Sequence, residues 1–504
     1  MTRPKRYDVV VVGAGNAALT AALAAHEEGA SVLVLEKAPV SLRGGNTYFT
    51  GGAIRFAYDG IEDMKRLMPE LSPEEVRSMD VGSYPESAFY SDLMRVTEGM
   101  SDPELAQVLV GESKPAMMWL REQGMRFVPL WGRQAFKVGN VYRFWGGLTV
   151  EAVGGGKGLS DQLFSMLERR GIEVRYETKA TRLLMDQRGW VTGATVRGPR
   201  GFHDIASRSV VLASGGFEAN AEMRARYLGP GWEMAKVRGT QFNTGDGIRM
   251  ALDIGAQPYG NWSGCHAVAW DMNAPPYGDR QITDLFQKHS YPFGIIVNLK
   301  GERFVDEGAD FRNYTYAKYG REILYQPQRL AFQLFDAKVT QLWRDEYRIP
   351  QVTKAVANTI EELAEKLDIH KEGLVATVRA FNAAVQPGEF DPTKLDGKHT
   401  VGVQPPKSNW ALPLDTPPFH GFGVTCGITF TFGGLRIDKR AQVLDTEENL
   451  IPGLYAAGEL VGGLFYSNYP GGSGLCAGAV LGRIAGTSAA QDARRIPQPL
   501  EAPA

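Results

Sequence analysis

The sequence predicts an α/β protein built on a parallel sheet, and three observations carry that expectation. The chain opens with a β-branched run, Tyr7-Asp8-Val9-Val10-Val11-Val12, the pattern of a strand buried on both faces. This run leads into a glycine turn, a helix-favouring stretch and a second apolar run. Two further strand-plus-glycine turns stand much later, at Ser209-Val210-Val211-Leu212-Ala213-Ser214-Gly215-Gly216 and at Gly453-Leu454-Tyr455-Ala456-Ala457-Gly458-Glu459.

The first run ends in Gly13-Ala14-Gly15-Asn16-Ala17-Ala18, and residues 19–28 are alanine-rich and favour a helix. Ser31-Val32-Leu33-Val34-Leu35 reads as the second strand, ending at Glu36 and followed by Lys37. A strand, turn, helix, strand and acid in this register suit a dinucleotide. Gly13 permits the tight turn, Gly15 lets the backbone approach a pyrophosphate, and Ala18 is small enough for helix–strand packing. Asn16 and Ala17 open the helix, whose free N–H groups and dipole favour an anion. Glu36 suits the adenosine ribose hydroxyls, and its charge disfavours a 2′-phosphate.

More glycine turns follow. Gly44-Gly45-Asn46-Thr47 and Gly51-Gly52 come soon after Glu36, and Thr244-Gly245-Asp246-Gly247 caps a predicted helix over 248–254. Ser473-Gly474-Leu475 opens the last predicted helix. A simple nicotinamide dehydrogenase needs one dinucleotide turn and no return of the chain hundreds of residues later.

The formal net charge of −2, from 55 Lys+Arg against 57 Asp+Glu, excludes a strongly basic nucleic-acid binder. Glycine is in excess, at 59 of 504 residues. Cys265, Cys426 and Cys476 form no C-x-x-C pair, which excludes a built-in four-cysteine iron–sulfur cluster and suits a reducing compartment. No metal site is expected. No stretch reaches ~18 uncharged apolar residues, so a cytoplasmic protein is expected.

Between the glycine turns, the pattern is helical from about residue 60 to 145. Ser72-Pro73-Glu74-Glu75 and Asp102-Pro103-Glu104 are helix starts. Residues 159–170 read as an amphipathic helix, 172–177 as a strand, and the Gly189 and Gly193 region as a hairpin. Residues 251–395 lack phosphate-type turns and carry many aromatics, as a cap over a ligand would. Within them 360–367 and 372–384 read as helices, and 387–406 as the linker back. The expected organisation is 1–250, an inserted 251–395, a return over 396–490 and a frayed tail over 491–504.

Taken together, Gly13-x-Gly15-x-x-Ala18, Glu36, Gly44-Gly45-Asn46-Thr47, Ala213-Ser214-Gly215-Gly216, Thr244-Gly245-Asp246-Gly247 and Ala456-Ala457-Gly458-Glu459 resemble the fumarate reductase/succinate dehydrogenase flavoprotein superfamily. The resemblance covers about residues 5–490. It implies a Rossmann-like FAD-binding domain formed by both chain ends, with a capping domain inserted, an α/β fold with an α+β cap. The implied cofactor set includes Lys37, Gly51, Gly52, Ala180, Ser473, Gly474 and Leu475 beside the motif residues. Some members hold flavin through a histidine near the second glycine loop. Gly45-Asn46-Thr47-Tyr48-Phe49-Thr50 has none, so non-covalent FAD is expected.

The superfamily's catalytic set carries over only in part. His266 matches the first substrate-binding histidine of fumarate reductases. The proton-donating arginine falls near Ser290, the second histidine within Thr429-Phe430-Thr431, and the carboxylate-clamping arginine at Tyr469. Tyr469-Pro470-Gly471 instead resembles the 3-ketosteroid dehydrogenases, whose tyrosine bonds the substrate carbonyl. Gly294-Ile295-Ile296-Val297-Asn298, Gly301-Glu302-Arg303-Phe304-Val305-Asp306-Glu307, Phe311-Arg312-Asn313-Tyr314 and Tyr469-Pro470-Gly471-Gly472-Ser473-Gly474 together resemble tricarballylate dehydrogenases. That resemblance implies α,β-dehydrogenation of a small carboxylate substrate, with electrons leaving to a separate, membrane-associated iron–sulfur or haem partner.

Four side chains are therefore catalytic candidates. Tyr469 is either a substrate group or a packed aromatic, and His266 either a substrate ligand or a satisfied core histidine. Arg312, amid Tyr314, Tyr316 and Tyr319, suits a carboxylate or a salt bridge to Asp310 or Glu307. Arg143 is comparable, and Arg303, flanked by Glu302 and Asp306, reads as structural. The competing readings are a ketosteroid-type dehydrogenase, a fumarate or enoate reductase, and a flavin electron-transfer or redox-sensing protein.

Overall fold

The computed structural model describes residues 6–144 and 146–495. Tyr7–Val12 lies at the centre of an eight-stranded sheet, parallel to Val32–Leu35 on one side and to Gly201–Leu212 on the other. Glu173–Arg175 extends the sheet beyond Val32–Leu35. Gly201–Leu212 changes partners halfway. Its first half pairs antiparallel with Val191–Gly198, and its end runs parallel to Leu450–Ala456. The sheet is thus closed by a strand from the far end of the chain.

Helix Asn16–Glu27 covers one face of this sheet, and its first ten residues are all buried. The long helix Ser473–Arg495 packs directly on it. A Cβ built at Gly482 would lie 2.5 Å from the Ala17 carbonyl oxygen, and one at Gly486 would lie 2.1 Å from that of Ala21. Only glycine lets the two backbones approach so closely. The two ends of the chain are joined by this contact.

The second body is a six-stranded sheet. Its axis is Phe419–Thr431, which pairs with Lys236–Val237, Cys265–Asp271, Ala331–Phe335 and Lys354–Ala357, while Ile295–Asn298 adds to Ala331–Phe335. Helices Ile360–Leu367 and Lys371–Ala384 cover it at the expected places. The sequence-based limits of 251 and 396 both fall inside this body. Gly421, Gly423 and Gly427 interrupt the apolar pattern of Phe419–Thr431, because their missing side chains make room for Leu367, Met272 and Trp270. A strand with such gaps reads as a loop.

Helix starts at Ser72 and Asp102 are observed, with a capping box at Ser72–Glu75 and the Asp102 carboxylate accepting from Glu104 N–H. The expected tail from 491 is helical as far as Arg495. Ala493 is buried, and Asp492 accepts a hydrogen bond from the Tyr455 hydroxyl and pairs with Arg440. The rest of that segment lies outside the described residues. Among the described residues, no helix is long and apolar enough to cross a membrane.

Gly486→Val would drive a branched side chain into the Ala21 carbonyl. It is expected to cost about 1–3 kcal/mol, to lower the thermal midpoint and to reduce flavin retention. An unchanged melt would remove this contact from the supports of the fold.

Candidate active site

The strand ends Val12, Leu212 and Ala456 lie side by side in register, and the turns that leave them enclose one elongated cleft. Its volume is about 1790 Å³, counted out to its solvent mouth. Gly13 adopts φ 110°, and a Cβ there would lie 2.3 Å from the Ala213 carbonyl oxygen. Gly15 is different, since a Cβ there would meet nothing nearer than Thr47 Oγ1 at 3.5 Å. Its surface faces open space at the N-terminus of helix Asn16–Glu27. Asn16 N–H donates to Thr47 Oγ1 and its side-chain amide to the Leu475 carbonyl, so three distant segments form one rim.

Glu36 is buried, and one carboxylate oxygen accepts from Ala38 N–H. Burial raises its pKa, against the lowering effect of Ala38 N–H. Lys37 donates to Thr244 Oγ1 and to Asp246, which Lys179 also contacts at 2.8 Å. Burial alone would raise the Asp246 carboxyl, but the two lysines hold it down at about 2. Asn46 joins the second glycine turn to the cap. It donates to Glu218 and to the Thr429 carbonyl and accepts from Thr240 N–H.

Most of the expected nucleotide residues come together in this cleft. Gly13, Gly15, Asn16, Ala17, Glu36 and Lys37 line one side, with Gly45, Asn46, Thr47 and Gly51 beside them. Ala180, Ala213, Ser214, Gly215 and Asp246 line another part, and Gly458, Glu459, Gly474 and Leu475 complete the wall. Ala18, Gly44, Gly52, Thr244 and Ser473 are set one layer behind. Gly44 and Gly52 lie against the Ser160 side chain and the Gly155 backbone, where a Cβ would clash. The open approach over Gly15 at the N-terminus of helix Asn16–Glu27 and the buried, unpartnered Ser214 hydroxyl fit a bound FAD.

At the other end of the cleft the lining changes to arginine, histidine and tyrosine. Arg133 forms a two-pronged bond to Asp284 at 2.6 and 3.0 Å. Arg238 approaches the same carboxylate at 3.8 Å and donates to Thr429 Oγ1. Arg312 donates to the Arg133 carbonyl and to Gln134 Oε1, both at 2.7 Å. It does not pair with Asp310 or Glu307, which are engaged by Arg95 and Arg303. The hydroxyls of Tyr316 and Tyr469 bond to each other. Burial raises both, and their mutual bond raises Tyr469 further while lowering Tyr316.

His266 is fully buried but stands behind this wall. Its ring stacks on Phe430 at 5.2 Å and meets Tyr316 and Tyr469 edge-on. Burial, then Arg238, pushes its pKa well below the usual value. The expectation for Arg143 does not hold in the structure. Strand Val141–Phe144 lies in a small outer sheet, and its alternation turns Arg143 outward, half-exposed and paired with Asp80 at 3.2 Å.

Arg133, Arg238 and His289 went unnoticed in the sequence, and Tyr316 was seen only as part of a tyrosine cluster. Arg133 and Arg238 sit in no motif. His289 adjoins Ser290, the position to which motif alignment already pointed. Among the described residues, no cluster suits a metal ion.

Gly13→Ala would place a methyl against the Ala213 carbonyl. The purified variant is expected to lose its flavin absorbance on gel filtration. A variant that stays fully yellow would show that this turn tolerates a side chain.

A sequence-family model described as an FAD binding domain matches residues 8–475. The chain is 30% identical to the NADH:fumarate oxidoreductase of Klebsiella pneumoniae (strain 342), over 97% of this chain and 48% of that protein. It therefore spans about half the length of that relative. It is 28% identical to the fumarate reductase (cytochrome) of Shewanella frigidimarina, over 97% of this chain and 78% of that one. A solved flavocytochrome c3 fumarate reductase in its open conformation superposes with a TM-score of 0.71 at 27% identity, over 97% of this chain and 79% of that chain. The chain belongs to the FAD binding domain family, and its cofactor is FAD.

Proposed function

We propose that the chain catalyses α,β-dehydrogenation of an aliphatic polycarboxylate, most simply tricarballylate to cis-aconitate. A separate iron–sulfur or haem protein at the membrane takes the electrons. One observation carries this reading: the positive charge gathered at the end of the cleft. Arg133, Arg312 and the neighbouring Arg344 act on one another, and Arg238 shares Asp284 with Arg133, against the carboxylates of Asp284, Glu346 and, more weakly, Asp345. Burial pushes Glu151, beside Arg133, up to about 7, so it is only partly ionised near neutrality. An enclosed excess of positive charge is costly by itself and favours a ligand with several carboxylates. A planar guanidinium fork is also the best match to such groups.

FAD, when bound, would supply the two-electron, hydride-accepting chemistry that the loss of hydrogen from the β-carbon requires. The chain itself must hold the carboxylates, exclude water and move the α-proton. Arg312 suits the first task, because its present partners are neutral. Phe430 and Phe465, packed on Tyr469, make the wall around the hydroxyl pair apolar. Tyr316 is the more acidic partner of that pair, so its phenolate, held by a hydrogen bond from the Tyr469 hydroxyl, takes the α-proton and becomes the neutral phenol.

Anaerobic addition of tricarballylate is expected to bleach the flavin. Bleaching by a cyclic 3-ketone and by no polycarboxylate would move the reading to a ketone dehydrogenase. Tyr316→Phe and Tyr469→Phe are each expected to slow bleaching by about 10²–10⁴-fold while FAD stays bound. Arg312→Ala should raise the half-saturating tricarballylate concentration by about 10²-fold or more. Because the Tyr316 pKa is raised above its ordinary value, its reactive anion grows with pH. Bleaching should therefore accelerate steadily from pH 6 to 9, and a flat profile would count against Tyr316 as the base.

A further inference from the structure

His289 is the one histidine among the residues lining the cleft, and it is only 2% exposed. Its Nδ1 lies 3.3 Å from the Arg312 guanidinium. An arginine can only donate, so Nδ1 must present its lone pair. The ring proton is then fixed on Nε2. That Nε2–H is buried, with no hydrogen-bond partner among the described residues. A buried donor left without a partner costs about 1–3 kcal/mol, a cost that an acceptor seated in the cleft His289 lines would remove.

The ring is held firmly. Its edge contact with Tyr316 has centroids 4.8 Å apart. The following residue is anchored at both polar groups, since Ser290 N–H donates to the Tyr347 hydroxyl and Ser290 Oγ accepts from Arg344 N–H. His289 also forms the partition between the main cleft and a small side cavity bounded by Phe136, Phe293 and Trp410. Arg312, Arg238, Arg133 and His266 are the charged and titratable groups that act on it, beside the Tyr316 ring. Burial and the three cations oppose a second proton on the ring.

We propose that His289 serves as an Nε2–H donor to a substrate carboxylate oxygen and not as the base. This rests on the polycarboxylate reading above. As the α-proton leaves, negative charge grows on that carboxylate, and a fixed donor strengthens its bond to the oxygen without surrendering its proton. The proton goes to Tyr316. Nδ1 is committed to Arg312 in every step, so the imidazole has no second lone pair with which to compete for it. His289 and Arg312 then act as one unit, the guanidinium setting the tautomer and the imidazole presenting the hydrogen.

Two measurements on the holoenzyme test this. In ¹⁵N-histidine-labelled protein, with His289→Gln used to assign the signal, His289 should show a neutral Nε2–H tautomer that does not titrate between pH 5.5 and 8.5. An Nδ1–H tautomer, or titration in that window, would overturn the proposal. In anaerobic stopped-flow with tricarballylate, His289→Ala should reduce flavin about 10²–10³-fold more slowly. His289→Gln, which retains an amide N–H, should stay within about 10-fold of wild type. His289→Ala within 3-fold of wild type, or His289→Gln as slow as His289→Ala, would refute the donor role. If no polycarboxylate bleaches wild-type flavin, the substrate reading falls, and the NMR spectrum alone decides the tautomer.

Discussion

The structure depends on the contact between helix Asn16–Glu27 and helix Ser473–Arg495. Gly482 and Gly486 set the last helix against the carbonyls of Ala17 and Ala21, closer than any side chain allows. Because Asn16 then reaches the Leu475 carbonyl, the N-terminus of each helix opens on the same cleft. The parallel strand Leu450–Ala456 completes the arrangement by adding to Gly201–Leu212. A chain of this length can insert a second sheet between those ends only because the ends are joined so tightly.

The cleft that results has two electrostatic halves. At one end, helix N-termini and glycine turns present N–H groups, while Glu36 and the lysine-bound Asp246 supply the acids. At the other end, arginines outnumber their carboxylates, and two tyrosine hydroxyls bond to each other in an apolar setting. The cap contributes Arg238, His289, Arg312, Tyr316 and Thr429, and the helical segment before it contributes Arg133. Asn46 and Asp284 tie these contributions together, one through Thr429 and Thr240, the other through Arg133 and Arg238.

The glycine-turn half of the cleft was legible because its geometry is local. Gly13, Gly15 and Glu36 lie within one strand–turn–helix–strand unit, and backbone sterics fix which residues fit there. Helices such as Ile360–Leu367 were equally readable from their period. The limits of the inserted body were not, since the glycines of Phe419–Thr431 are explained only by Leu367, Met272 and Trp270 across the sheet. Arg143 and Arg312 illustrate the same limit for charge. Both look alike in sequence, yet one faces solvent beside Asp80 and the other faces the cleft.

The sequence by itself determined the sheet, the dinucleotide turns and the excess of glycine that builds them, because each follows from backbone geometry within a few residues. Tertiary structure decided which side chains meet at the reacting end. Arg133, Arg238 and Tyr469 come from separate segments of the chain, and Asp284 and His289 share a fourth. Their charges and tautomers are set by burial and by one another, and no local pattern records a distance across the fold.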